Sequence, residues 1–453
     1  MAPSLPVLPP SGAPWRERPG HRAWLAARAD DLLAFFERHA IDPKGGFFEL
    51  DDAGRPTADP VRQIHATTRM VHCFAIAHLL GRPGSAAFVD HGMDFLWKRH
   101  RDPVHGGYAW SLDGEGFRDD TKQAYGHAFV LLAASSAKAV GHPLADRLLE
   151  DVTQVLRERF WEERHGAVAE EFARDWTPMT GYRGQNSNMH LTEALMAAFE
   201  ATGTRACLDM AERIASLIVG RHASALGYRV AEHFHEDWSL DRDYRGSDIF
   251  RPAGTTPGHW LEWSRLLLQL WSLGGERHSW MPEAAEALFR QAVELGWDKE
   301  NGGFFYTLDW DDRPALRQKL WWPCAEAIGA ASFLCEHRPS DFHESWYRCL
   351  WDFVARHFID RANGGWHPEL SETLRPAATL FTGKPDIYHA LQACLIPLYP
   401  SRASLTRVVA DENRMGDRSG GSGKRRGGDT EASVLPDSAV QEISTTEGEK
   451  RHG

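Results

Sequence analysis

The chain has 453 residues, 42% of them hydrophobic, enough for one large core or two ordinary ones. A formal net charge of −12 argues against a nucleic-acid partner, which would need a basic face, and no apolar run approaches the roughly 20 residues needed to cross a bilayer. Cys73, Cys207, Cys324, Cys335, Cys349 and Cys394 are scattered without close pairing, so they read as small buried hydrophobes in a reducing cytoplasm, not as a disulfide frame or a zinc site.

The stretch from Met1 to Gly20 is Pro-rich, lacks an apolar secretory core and is expected to be a flexible leader. The first helix is predicted over His21–Ala40, with Trp24, Leu25, Leu32, Leu33, Phe35 and Phe36 forming its apolar stripe. A short Gly-aromatic turn then recurs at Gly45-Gly46-Phe47, Gly106-Gly107-Tyr108, His165-Gly166-Ala167 (with Ala in the aromatic slot), Leu226-Gly227-Tyr228, Gly302-Gly303-Phe304 and Gly364-Gly365-Trp366. Counted from the last glycine of each, the steps are 61, 59, 61, 76 and 62 residues. That period is too long for one tetratricopeptide-type helix pair and too regular for chance.

After each turn come a few strand-like residues, a polar stretch, and a helix rich in small and apolar residues. These helices are predicted at Met70–Leu80, Ala124–Ala139, Leu191–Ala201, Trp260–Leu273, Ala325–Leu334 and Ala390–Leu398. They are apolar nearly all round, as an inner ring buried on both sides must be. The alternating segments Ala86–Lys98, Ala145–Phe160, Cys207–Ile218, Pro282–Leu295 and Glu344–Phe358 are amphipathic and form an outer ring that the first helix completes. Six helix pairs bury their apolar faces only by closing on one another. The expected fold is therefore all-α, an (α/α)6 barrel with short β-hairpins at one rim. It covers residues 21–402, between the 1–20 leader and a 403–453 tail in which apolar periodicity vanishes and disorder is expected. The long fourth repeat places an insertion at 229–256, either a surface loop or a lid over the barrel mouth. Most of the 18 Trp are assigned to packing between helices and the rest to a stacking surface for a ligand.

Polar groups concentrate at the N-terminal ends of the inner helices: Arg69; Tyr125; Asn186, Asn188 and His190; His259 and Glu262; Trp322 and Glu326; Lys384, Asp386 and His389. Taken singly, each has a bland reading. His72 and His127 suit satisfied core histidines, Glu262 and Glu326 suit complements to a helix dipole, and Trp322 suits core packing. Charged groups at the starts of buried helices are costly unless paired, and their recurrence around one rim points to a shared site. Paired carboxylates there would suit glycoside hydrolysis. His233 and His235, two apart in E-H-F-H-E-D, are the nearest approach to a metal pair, without a third ligand at suitable spacing. Metal-free proton transfer by rim histidines, supported by Arg69, fits the set best.

Five segments carry a resemblance: T-T-R-M-V-H at 67–72, N-S-N-M-H-L-T-E-A at 186–194, P-G-H-W-L-E-W at 257–263, L-W-W-P-C-A-E-A at 320–327 and G-K-P-D-I-Y-H-A-L-Q at 383–392. In these the chain resembles the N-acylglucosamine 2-epimerase superfamily, within it the mannose isomerase and sulfoquinovose isomerase branch. The resemblance implies an (α/α)6 barrel that interconverts an aldose such as D-mannose or D-lyxose with a ketose through an enediolate, without cofactor or metal. By the same resemblance His389 moves a proton between C1 and C2, and His259 assists ring opening and is the second acid/base. His190, Asn186, Tyr125, Glu262 and Glu326 hold sugar hydroxyls, Trp322 floors the pocket, and Arg69 binds the oxygen that gains charge. A sulfoquinovose isomerase or a sugar 2-epimerase are the neighbouring readings. The expected partner is a monosaccharide, with no nucleic acid or membrane, and the protein is expected to be a monomer or homodimer.

Overall fold

The recurrent glycines are where the chain reverses. Gly46, Gly107, Gly166, Gly227, Gly303 and Gly365 all have φ between 64° and 78°, a left-handed conformation that a Cβ disfavours. At Gly107 a Cβ would also meet the Trp176 ring at 2.7 Å. The turns sit in a computed structural model that describes residues 13–114 and 116–420. Around them run thirteen α-helices among the described residues: α1 (Pro19–His39), α2 (Ile64–Leu79), α3 (Ser85–Phe95), α4 (Ala124–Ala139), α5 (Ala145–Val155), α6 (Gln185–Thr202), α7 (Arg205–Ala215), α8 (Pro257–Leu273), α9 (Trp280–Gln291), α10 (Trp321–His337), α11 (Asp341–His357), α12 (Ile387–Leu395) and α13 (Leu405–Gly420).

The even-numbered helices α2 to α12 pack side by side in chain order, and α12 returns to α2, closing an inner ring. Outside it, α3, α5, α7, α9 and α11 each pack on the inner helix before them, and α1 packs on α12. Inner helices are buried almost throughout; α4, for example, buries Phe129, Val130, Leu131, Leu132, Ala133 and Ala134. This is the expected (α/α)6 barrel.

Short strands stitch one rim together. The residues entering each inner helix pair antiparallel with the hairpin of the next repeat: Arg62 with Leu112, Lys122 with Phe172, Arg183 with Phe234, Thr255 with Leu308 and Lys319 with Leu370. Lys384 with Leu50 joins the sixth repeat to the first. An ion pair, buried in four repeats and half-buried at Glu162, reinforces five of the six repeats. An acid four or five residues ahead of the turn glycine meets a base just before the next inner helix: Asp42–Arg62 at 2.7 Å, Asp102–Lys122 at 3.1 Å, Glu162–Arg183 at 2.6 Å, Asp298–Lys319 at 2.7 Å and Asp360–Lys384 at 2.5 Å. The aspartates also accept backbone N–H groups of the turn, as Asp102 does from Val104 at 2.9 Å. Each carboxylate thus fixes both the reversal and the entry to the helix that carries site residues.

The inner helices start up to six residues earlier than apolar periodicity predicts, because their first turns are polar and face the barrel mouth. At the other end, α13 begins inside the stretch expected to be disordered. Its Leu405, Val408 and Val409 are buried, so the apolar pattern extends past residue 402. The main compact unit ends at Asn413; the remainder, from Arg414, forms a second unit whose described residues continue as helix to Gly420. The leader expectation falls mainly on residues 1–12, outside the described residues, but α1 begins two residues before His21. No helix among the described residues is long and apolar enough to cross a membrane.

Candidate active site

The barrel mouth opens into a cavity of about 550 Å³, lined by Arg69, Tyr125, Asn186, His190, His259, Glu262, Trp322 and His389 among others. The two histidines expected to work together meet here. His259 is set by the start of α8, where Pro257 occupies the first turn and the His259 N–H donates to Thr256 O at 2.9 Å. Its Nδ1 donates to the Glu232 carboxylate, 2.9 Å from each oxygen, and Glu232 also accepts from Gln185 Nε2 at 2.9 Å. His389 stands on the first turn of α12, which Asp386 caps by accepting the Tyr388 N–H at 3.0 Å. Its Nδ1 donates to Glu326 Oε1 at 2.8 Å, and Glu326 Oε2 accepts from Arg265 Nε at 2.9 Å.

Each imidazole therefore has its Nδ1 proton assigned by a carboxylate, leaving Nε2 for chemistry. Both rings lie against the same indole: Trp322 is 4.9 Å from His259 and 6.0 Å from His389, centroid to centroid. Burial pushes the Glu326 carboxyl up, but the Arg265 charge and the His389 hydrogen bond outweigh it and hold it below the usual carboxylate range. Burial likewise raises Glu232, and His259 turns the balance downward. Both carboxylates thus stay ionised behind their imidazoles.

Arg69 spans the mouth from α2. It donates to Asp386 at 2.7 Å and to the Tyr125 hydroxyl at 2.8 Å, with its guanidinium 4.4 Å over Phe129 and 4.9 Å over Tyr388. Asn186 Oδ1, His190 Nδ1 and both Glu262 oxygens are buried without a hydrogen-bond partner, as groups awaiting a polar ligand would be. Burial, then Arg69, pushes the His190 imidazole well below its ordinary range, so it is neutral.

Glu326 departs from expectation. It lies behind His389 with both oxygens engaged, so it orients an imidazole instead of holding a sugar hydroxyl. Asn188 is also outside the site, its amide spent on Val168 N and Gly184 O at 2.9 Å each. Lys384 is committed to Asp360. His233 and His235 do not converge: His233 bonds Tyr182 and Pro252 O, while His235 is exposed beside Asp241. His127 is a satisfied core histidine between Tyr108 N and Gln123 O.

Sequence reasoning missed Glu232, Arg265, Glu193 and His65. Arg265 was detectable as a cation three residues after Glu262 on an apolar helix, and Glu232 sits beside the histidines read as a metal pair. The 229–256 insertion contributes a wall. Ile249, Phe250 and Pro252 line the cavity; Tyr306 OH donates to Ile249 O at 2.7 Å, and the Phe250 ring meets His65 and Trp110 edge-on at 6.4 Å. For a metal, His190, Glu193 and Glu262 have ligand atoms within 4.8 Å of one another. Arg265 already supplies permanent positive charge there, 3.3 Å from Glu193 and 3.9 Å from Glu262. A dication would have to displace that guanidinium, so the donor set fits a metal poorly.

Known proteins are similar to this chain in sequence and fold. A D-mannose isomerase from Thermobifida fusca is 44% identical over 402 residues, 87% of this chain and 98% of that protein. One from Pseudomonas cannabina pv. alisalensis is 42% identical over 405 residues, 87% of this chain and 97% of that protein. A crystal structure of a D-mannose isomerase superposes with a TM-score of 0.79 at 34% identity, covering 86% of this chain and 99% of the other. The family model for N-acylglucosamine 2-epimerase matches residues 45–393, and with the closed ring and the carboxylate-backed histidines this chain belongs to that family.

Proposed function

We propose that this chain is a metal-independent aldose–ketose isomerase that interconverts D-mannose, and related aldoses such as D-lyxose, with the corresponding ketose. One observation carries the reading: two imidazoles, each oriented by a buried carboxylate, present Nε2 to one cavity over a shared indole. His259 opens the ring by moving a proton between O1 and the ring oxygen. His389 then takes the C2 proton of the open aldehyde and delivers a proton to C1 through a cis-enediolate, while His259, as the second acid/base, carries the O2 proton to O1 so that O2 becomes the ketose carbonyl. The charge that develops on oxygen falls to Arg69 and the Tyr125 hydroxyl that Arg69 polarises. Trp322 floors the sugar, and Asn186, His190 and Glu262 meet its hydroxyls. A glycoside hydrolase needs two free carboxyls astride the bond, and Glu326 has neither oxygen to spare. A 2-epimerase would return the proton to C2; the isomerase names of the 42–44% identical relatives favour C1.

The test is incubation of purified protein with mannose in deuterated water, followed by NMR. Fructose carrying deuterium at C1 is expected, at a rate unchanged by dialysis against a chelator. Neither ketose nor C–H exchange would overturn the assignment.

The lining also bears on C6. Its cations, Arg69 and Lys384, are each paired with a carboxylate, while Glu49, Asp51 and Asp52 add negative charge at the edge. A neutral hexose fits this field and a C6 anion does not. Sulfoquinovose and mannose 6-phosphate are expected to show kcat/KM at least about tenfold below mannose, a penalty of ~1.4 kcal/mol. Equal or better turnover of either would reverse the preference. The same reading gives the protein a monosaccharide-metabolising role, which we place in the cytoplasm; the six free cysteines suit a reducing compartment.

A further inference from the structure

Three buried carboxylates, Glu193, Glu262 and Glu326, surround one guanidinium, Arg265. Arg265 is shared unequally. Its Nε lies 2.9 Å from Glu326 and its terminal nitrogens 3.3 Å from Glu193, but it comes no nearer than 3.9 Å to Glu262. Glu326 has a second donor in His389, and Glu193 has one in the Tyr388 hydroxyl. Glu262 has neither. Its side chain is 1% exposed and both oxygens are without a hydrogen-bond partner; His190 Nδ1, also unpartnered, is 3.5 Å away.

An ionised carboxylate in that position would be desolvated, unbonded and next to two others, an arrangement proteins avoid by keeping the proton. The groups facing Glu262 come from every inner helix: Arg69 on α2, Tyr125 on α4, His190 and Glu193 on α6, Arg265 on α8, Glu326 on α10 and Tyr388 on α12. Burial, then Glu326, pushes the Glu262 carboxyl well above its ordinary range, and Arg265 and Arg69 do not reverse this.

We propose that Glu262 is a neutral carboxylic acid in the resting enzyme and donates its hydrogen to an oxygen of the bound sugar. The second half of this rests on the isomerase reading. The chemistry favours it: an enediolate puts negative charge on oxygen, which a neutral O–H stabilises and a carboxylate repels. Arg265 is a positioning residue. By spending its charge on Glu326 and Glu193 it keeps one carboxylate behind His389 and leaves the proton on Glu262.

Infrared difference spectroscopy at neutral pH, on substrate-free protein with 13C-labelled glutamate carboxyls, tests the first half without any turnover. A protonated-carboxyl band is expected in the wild type, and it should lose the Glu262 component in Glu262→Gln, any remainder being that of Glu200, whose buried carboxyl is pushed up to about 7. The same component should be lost in Glu326→Gln, where the freed Arg265 can pair with Glu262, so the test survives if one variant fails to fold. A wild-type spectrum with ionised carboxylates alone, or a protonated band whose intensity is undiminished in both variants, overturns the proposal. Kinetics test the donor role. Glu262→Gln keeps a neutral donor and should retain a kcat/KM at least about tenfold above that of Glu262→Ala. Equal losses would show that donation is not what the group supplies. Because the spectrum needs no substrate, failure of the isomerase assignment and failure of the proton assignment are separately visible.

Discussion

His389→Asn is expected to lower kcat on mannose by about two to four orders of magnitude, the usual contribution of a positioned acid/base. Asparagine can still donate to Glu326 from the side-chain amide, so the Glu326–Arg265 pair and the start of α12 keep their partners. Wash-in of deuterium at C2 of mannose and at C1 of fructose should fall together, because one nitrogen serves both carbons. His259→Asn should give a loss of similar size from the ring-closed sugar, with part of the loss recovered on substrates that cannot cyclise. A short-chain aldose that lacks a pyranose ring is a suitable probe, read by polarimetry or NMR. Near-wild-type turnover after either substitution, with thermal unfolding unchanged, would end the two-imidazole account.

Asp102→Ala is expected to be the most damaging change outside the site, destabilising the fold by about 3–5 kcal/mol. Asp102 and Lys122 both have fully buried side chains, and Arg174 adds a second bond to the same carboxylate at 2.8 Å. Removing the acid strands a lysine in the interior and frees the turn at Gly107. Chemical denaturation followed by tryptophan fluorescence measures the loss, and Asp102→Ala with Lys122→Met should recover part of it. A change below about 1 kcal/mol would show the pair to be dispensable. The same pairs set the response to acid. Burial raises the Asp102, Asp298 and Asp360 carboxyls, but their donors (Arg174 first for Asp102, then the lysines and the turn backbone) outweigh it, and each ends below the ordinary 3.8. Folded-state pKa values below the unfolded one mean that this stabilisation is fully present above about pH 4 and is lost as pH falls through the folded values. Acid unfolding should therefore begin near pH 4 and deepen below it.

Much of this was legible in the chain. Steps near sixty residues gave the ring, because six apolar helices have no other way to bury themselves, and six polar helix starts gave the mouth. What the sequence hid were partnerships between distant repeats. Glu232 backs His259 from 27 residues away and Arg265 backs Glu326 from 61 away, and nothing local marks either as a support. Apolar periodicity also began the inner helices too late, since their first turns are polar for reasons of chemistry. Asn188 shows the converse. It sits two residues from Asn186 yet turns to the backbone, a choice that rotation about one helix decides.

Closure of the rim has a consequence for how this protein can vary. In an open solenoid a unit can be added or dropped and the neighbours simply restack. Here Lys384 pairs with Leu50, so the circumference has a fixed tally and there is no loose end to absorb a change. His259 and His389 arise two windings apart and reach the same indole only at that circumference. Six is thus a requirement of the reaction as much as of the core, and variation is left to the loops at the mouth.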